Sequence, residues 1–174
     1  MLGRIAIAGG AAMLLAMSSA GAQGGGLNDA QIAHIAYTAG VIDVAAGRQA
    51  LAKSKNKAVR AFAAEMVRDH EAVNKQALAL VKKLGVTPQD NPTSASLTTA
   101  AATERRTLAS LSGAAFDRAY ILNEVKYHRT VNDALRGTLI PGASNPELKG
   151  LLETGLRLFG EHQTHAEHLA ARTR

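Results

Sequence analysis

Cysteine is missing from all 174 residues. No disulfide staples this chain, no thiolate is available as nucleophile or metal ligand, and no residue near the N-terminus can carry a lipid. Stability must come from packing, alone or together with a bound ion. Tryptophan is missing as well, and the aromatics amount to three Phe and three Tyr. A nucleic-acid surface gathers basic residues on one face with aromatics between them. Here the basic residues are scattered: Lys53, Lys55 and Lys57 near one turn, then Lys82-Lys83, Arg105-Arg106, Arg172 and Arg174. The net charge of +6 therefore describes a solvated basic surface with weak attraction for anionic lipid, and no nucleic-acid partner is expected. Also absent are a G-x-S-x-G elbow, a Walker loop and a Gly-rich dinucleotide turn. Nothing in the spacing sets a base beside a nucleophile, so no catalytic residue is nominated.

What is present begins with an address. Met1-Leu2-Gly3-Arg4 supplies a positive charge, Ile5–Met17 is an apolar run, and Ala20-Gly21-Ala22 is an A-x-A cleavage site. Residues 1–22 thus form a secretory signal peptide, too short and wrongly flanked for a membrane span. Residues 23–27 form a flexible leader, and the mature chain is expected in the periplasm without a transmembrane segment. Residues 28–172 form one domain, long enough to bury a core.

That domain reads as helix throughout. Asn28 or Asp29 caps a first helix to about Ser54, and Lys57 to Leu84 forms a second that Gly85 ends. The short turn between them forces an antiparallel hairpin. Residues 86–96 read as a surface connection, followed by a shorter helix from Ala95 to Leu111. A third long helix runs from about Ala114 to Leu139. Asn145 caps the fourth, with Pro146 at its first position. Four long helical patterns and no strand predict an all-α, antiparallel four-helix bundle with an extra helix in the middle crossing.

The inward rows carry the chemistry. Val59, Ala63, Met66, Val73, Ala77, Leu80 and Leu84 follow a 4-3-4-3 spacing that His70 completes. Asp43 lies between Ala39 and Ala46 on the first row. The third row contains Glu124 and His128, and the fourth His162 and His165. A helical rise puts Asp43 about 16 Å and His70 about 24 Å from the first turn, and His128 about 20 Å and His162 about 30 Å from the second. In an antiparallel bundle all of them fall within about two turns of mid-height. Buried imidazoles need partners. Converging with a carboxylate, they suit one transition-metal ion, Zn, Cu, Ni or Fe. Asp43, His70, Glu124, His128, His162 and His165 are the candidate ligands. Asn74 and Asn132, one turn beyond their histidines, are candidates to hold the rings by outer hydrogen bonds. The competing reading is a metal-free polar network that only fixes helix register. His34 lies beside the first row and reads as a surface residue.

The run Phe62-Ala63-x-x-Met66-Val67-x-Asp69-His70, with Asn74 beyond it, resembles the exported bacterial domain-of-unknown-function family 4142. Similar too are Phe116-Asp117-x-x-Tyr120 leading to His128, and Leu158 to His162 leading to Ala166 and Leu169. The likeness extends from about Asn28 to Leu169. It implies a ferritin-like helical bundle of the cell envelope, in a family labelled predicted outer-membrane proteins, with no settled activity. It also implies polar roles for Asp43, where the family has Glu, and for Asp69, His70, Asp117, Tyr120, His128 and His162. Di-iron bundles need Glu-x-x-His on two helices. In this chain Glu65 is followed three residues later by Arg68, Glu124 by Tyr127 and Glu161 by Thr164. Oxidase or iron-storage chemistry is therefore not expected. Non-catalytic metal binding in envelope metal or stress tolerance leads, a structural or interaction role follows, and metal-dependent redox catalysis comes third.

Overall fold

The computed structural model describes residues 26–172, so the expected signal peptide and most of the leader lie outside the described residues. Every regular element is helical: α1 Asp29–Lys53, α2 Lys57–Lys83, α3 Pro92–Ala109, α4 Gly113–Ala134 and α5 Pro146–Arg172. Between α4 and α5 the chain continues as a π-helical stretch, Leu135–Leu139, and a last turn, Ile140–Gly142. Among the described residues there is no strand.

Local chemistry sets the helix ends. Asn28 and Gln31 form a reciprocal capping box at the start of α1. Asn56 accepts from Ala58 and Val59 at the start of α2, and Asn145 accepts from Glu147 and Leu148 at the start of α5. Asp29 ties the start of α1 to the start of α5, accepting the backbone N–H groups of Ser144 and Asn145 at 2.8 and 2.9 Å. The extra helix starts three residues earlier than expected. Pro92 occupies its first turn rather than the connection, because Asn91 supplies the cap.

Cross-helix contacts give the topology. Arg48 meets Glu71 across the α1–α2 hairpin. Lys83 meets Glu147, and Asp69 meets His162, so α2 and α5 are antiparallel. Tyr127 donates to the Ala39 carbonyl while Lys53 lies over Phe116, so α1 and α4 are antiparallel too. Helices α2 and α4 therefore point the same way, and α3 carries the chain back between them. It runs alongside α1, with Ser94 on His34 near one end and the Ala109 carbonyl on Lys53 near the other. The result is a four-helix bundle with one long crossover. His34 is half-buried rather than a free surface residue. Its Nδ1 is 2.9 Å from Ser94 Oγ and its Nε2 is 3.1 Å from Asp90, so it pins α3 to α1.

Two apolar cores fill the bundle. One contains Ala50, Val59, Phe62, Met66, Phe116 and Ile121. The other, toward the opposite end, contains Ile32, Ile35, Leu135, Leu139, Leu148 and Leu152. A polar layer separates them at mid-height. Helix α1 comes close to α2 there because Gly40 and Gly47 have no Cβ: one built at Gly47 would lie 2.9 Å from Val67 Cγ2 and 3.1 Å from the Ala63 carbonyl. Asp43 lies midway between the two glycines, and this close approach pushes its carboxylate into the layer.

On α5 the buried positions include Leu152, Phe159 and Ala166, whereas a row through His162 and His165 would turn in Leu151, Leu158 and His165, all three of which are half-buried. The buried set Leu148, Leu152, Gly155, Phe159, His162, Ala166 and Leu169 keeps a seven-residue repeat throughout, and periodicity alone does not say which neighbour of the shared row, one residue earlier or later, turns inward.

Candidate metal centre

The polar layer brings together Asp43 of α1, His70 of α2, Glu124 and His128 of α4 and His162 of α5. Each of them is exposed by 3% or less. The three imidazoles form a nearly equilateral triangle, with ring centroids 5.6 Å (His70–His128), 5.4 Å (His70–His162) and 5.5 Å (His128–His162) apart. One nitrogen of each lies within 4.8 Å of the others. Asp43, Glu124 and His128 form a second such trio, sharing His128 with the first.

Hydrogen bonds on the outer side fix which nitrogen faces inward. His128 Nδ1–H donates to the Glu124 carbonyl at 3.0 Å, one turn back on its own helix, leaving Nε2 as a bare lone pair. His162 Nε2–H donates to Asp69 at 3.1 Å, leaving Nδ1 inward. Metal-ligating histidines are oriented in this way by a carbonyl or carboxylate behind the ring. His70 is held by stacking instead, its ring lying on Phe159 at 4.5 Å and 10°.

Asp43 Oδ2 lies 3.5 Å from His70 Nε2 and 3.5 Å from His128 Nε2. Those separations are too long for hydrogen bonds. Seven buried atoms of the layer have no hydrogen-bond partner: both Asp43 oxygens, both His70 nitrogens, Glu124 Oε2, His128 Nε2 and His162 Nδ1. An orphaned buried polar atom costs about 1–3 kcal/mol, and the cluster could hold a metal ion that engages several of these atoms together.

Burial sets the charge states. It lowers the His128 pKa to about 4 and holds His70 well below the ordinary imidazole value, with the neighbouring rings adding to the effect. His162 is lowered by burial against the opposing pull of Asp69. Burial raises Asp43 to about 7, and raises Glu124 well above the usual carboxylate range with help from Asp43. At neutral pH the rings are neutral, as metal ligands must be, and the contacts between Asp43 and the rings are not ion pairs.

The remaining candidates occupy other places. His165 is 42% exposed at its side chain and bonds Glu65 on α2 at 2.9 Å, outside the layer. Asp69 stands directly behind His162, and Arg68 holds its carboxyl below the ordinary range. Asn74 packs its amide against Gly40. Asn132 donates to the Phe159 carbonyl and to Gln163, bracing α4 on α5. Neither amide holds an imidazole, because a residue one turn along the helix lies beside the ring's neighbours rather than behind its outer nitrogen. Tyr120 is packed between Phe62 and Phe116, and Asp117 is buried with one oxygen unpartnered. Glu65 and Phe159 belong to the surroundings of the site and were not nominated from sequence. The signal for Glu65 was its place one turn before Asp69, on the same face of α2.

A sequence profile for a domain of unknown function, DUF4142, matches residues 14–169. The chain belongs to the DUF4142 family. No curated protein and no solved structure matches it. The chemistry open to this DUF4142 protein follows from its own side chains. Among them, a buried cluster of His, Asp and Glu able to hold a metal ion is the dominant feature.

Proposed function

We propose that this DUF4142 protein is exported to the periplasm as a ferritin-like bundle and binds one divalent transition-metal ion without catalysing a reaction, serving metal sequestration or tolerance in the envelope. The proposed ligands are the imidazoles of His70, His128 and His162, with the Asp43 carboxylate, 3.5 Å from His70 Nε2 and His128 Nε2, as the fourth donor. The observation that carries this reading is the pair of 3.5 Å separations from Asp43 Oδ2 to two unpartnered Nε2 atoms. An ion about 2.05 Å from each donor spaces tetrahedral donors about 3.3 Å apart and ring centroids about 5.2 Å apart. Square-planar neighbours would give centroid spacings of about 4.5 and about 6.4 Å instead. The observed triangle of 5.4–5.6 Å matches the tetrahedral case and favours Zn(II) over Cu(II) and Ni(II). Four protein donors leave no open position for a substrate, which supports holding an ion rather than reacting with it. Export rests on the apolar run and A-x-A site at the N-terminus. Among the described residues, no helix is long and apolar enough to cross a membrane.

A register-fixing network competes poorly, since it must be hydrogen-bonded to be worth keeping, and this layer is largely unbonded. Thermal unfolding decides between the two. The mature, chelator-treated protein is melted with Zn(II), Cu(II), Ni(II) or Fe(II) added singly. Native-state binding stabilises by about 2.7 kcal/mol at a hundred times Kd. A large rise with Zn(II), lost in His70→Ala, is expected. No rise with any ion refutes metal binding.

A further inference from the structure

The site is sealed on most sides and polar on one. Asp43, Glu124 and His128 are each 1% exposed and His70 is 3% exposed. Apolar cores lie above and below them. The seam between α2 and α5 differs. Side-chain exposure there falls in steps from His165 at 42% through Glu65 at 31% and Asp69 at 16% to His162 at 1%. Glu65 bonds His165 Nδ1 at 2.9 Å, and Asp69 bonds His162 Nε2 at 3.1 Å. Glu65, Asp69 and His162 each offer a donor atom within 4.8 Å of the others. His162 therefore has one nitrogen in this outer group and the other, unpartnered, facing the inner site. Among the described residues, Asp69 is the polar side chain that both bonds a donor of the inner site and reaches solvent.

One cation already sits at this opening. Arg68, 70% exposed, bonds both oxygens of Asp69, from Nε at 2.7 Å and from Nη2 at 2.9 Å. The Asp69 oxygen that accepts from His162 is the one that accepts from Arg68 Nη2. A metal ion arriving from solvent must compete with that guanidinium for the carboxylate.

We propose that Glu65, Asp69 and the outer nitrogen of His162, with His165 bonded to Glu65 at the rim, form an outer docking site for a divalent transition-metal ion at the α2–α5 seam, from which the ion passes by way of the His162 side chain to the inner ligands, with Arg68 as the displaceable guard. The inference rests on the metal-binding reading above. Hard carboxylates at a half-exposed position receive a hydrated ion, and imidazole then exchanges for its water. Since His162 is the shared element, rotation of one ring couples the two groups. A guanidinium on an exposed stem leaves without unfolding anything, which suits it to a guard.

A route changes rates, whereas a ligand changes affinity. The test is stopped-flow uptake of Zn(II) by the chelator-treated mature protein and its release to a chromogenic chelator. The wild type is compared with the double variant Glu65→Gln/His165→Ala, with Arg68→Ala, and with Glu153→Gln, an exposed carboxylate elsewhere on α5, as a charge control. The double variant is expected to slow uptake and release together by tenfold or more, with Kd changed by less than threefold. Arg68→Ala is expected to speed both, and Glu153→Gln to change neither. Rates within twofold of wild type in the double variant and in Arg68→Ala overturn the route. So does a weakened Kd with unchanged uptake, which makes the outer groups supports of the inner site only. A wild type that takes up no Zn(II) refutes the metal reading itself, an outcome separate from these. Arg68 is exposed, so its variant reports even where the double variant folds poorly.

Discussion

Replacing Asp43 by Asn should have opposite effects on the metal-free and the metal-loaded protein. Burial raises the Asp43 pKa from 3.8 to about 7. A raised carboxyl favours the protonated native state, so its contribution to stability is whole below about pH 4 and is lost as pH rises through about 7. Above that the difference is worth about 4 kcal/mol, at 1.36 kcal/mol for each tenfold change in proton affinity. Asn has the shape of the protonated acid and never ionises. In chelator at pH 8, Asp43→Asn should raise the unfolding free energy by up to about 4 kcal/mol, and the gain should vanish toward pH 4. The acid side behaves in the opposite sense. His70, His128 and His162 are lowered, so the stability they contribute is present above about 6.5 and is lost as pH falls below it, for His128 through about 4, in both proteins. With excess Zn(II) the order reverses, because the wild type gains a charged fourth ligand that the amide cannot match. Urea titrations at several pH values, with chelator and with Zn(II), measure all of this. The reasoning fails if metal-free Asp43→Asn is less stable than wild type at pH 8, or if its gain is the same at pH 5.

Asp69→Asn keeps the shape behind His162 but removes the charge that orients the ring, and should weaken Zn(II) binding about 10- to 100-fold, measured by chelator competition. Gly47→Ala sets a Cβ 2.9 Å from Val67 Cγ2 and 3.1 Å from the Ala63 carbonyl. Forcing α1 from α2 at that point should cost about 1–3 kcal/mol in urea unfolding and should lower Zn(II) affinity by displacing Asp43. Asn91→Ala removes the cap of α3 and the bonds from its amide to the Gln31 and Gln89 carbonyls. The expected loss is about 1–2 kcal/mol by thermal or chemical unfolding, with Zn(II) affinity unchanged because α3 contributes no ligand.

Much of this protein is determined along the chain. Asn28, Asn56, Asn91 and Asn145 cap helices because a side-chain carbonyl there meets free backbone N–H groups, a relation of a few residues. Periodicity placed His70, His128 and His162 on inward rows, and the helical rise put them at similar heights. The missing cysteine, elbow and phosphate loop narrowed the chemistry before any contact was known. Other features depended on neighbours that sequence spacing does not name. Spacing alone cannot distinguish Leu158 from Phe159, nor His165 from Ala166, since His162 fits a seven-residue repeat with either set and only the packing of α5 against its neighbours decides which one turns inward. His165 consequently sits at the seam with Glu65, and Phe159 lies under His70. Which nitrogen of each ring faces inward was set by the Glu124 carbonyl and by Asp69, and the proximity of Asp43 by two glycines that let α1 sink against α2. Capping and periodicity are local and repeat along one chain. The directions of lone pairs and the approach of two helices belong to several chain segments at once, and only folding brings those together.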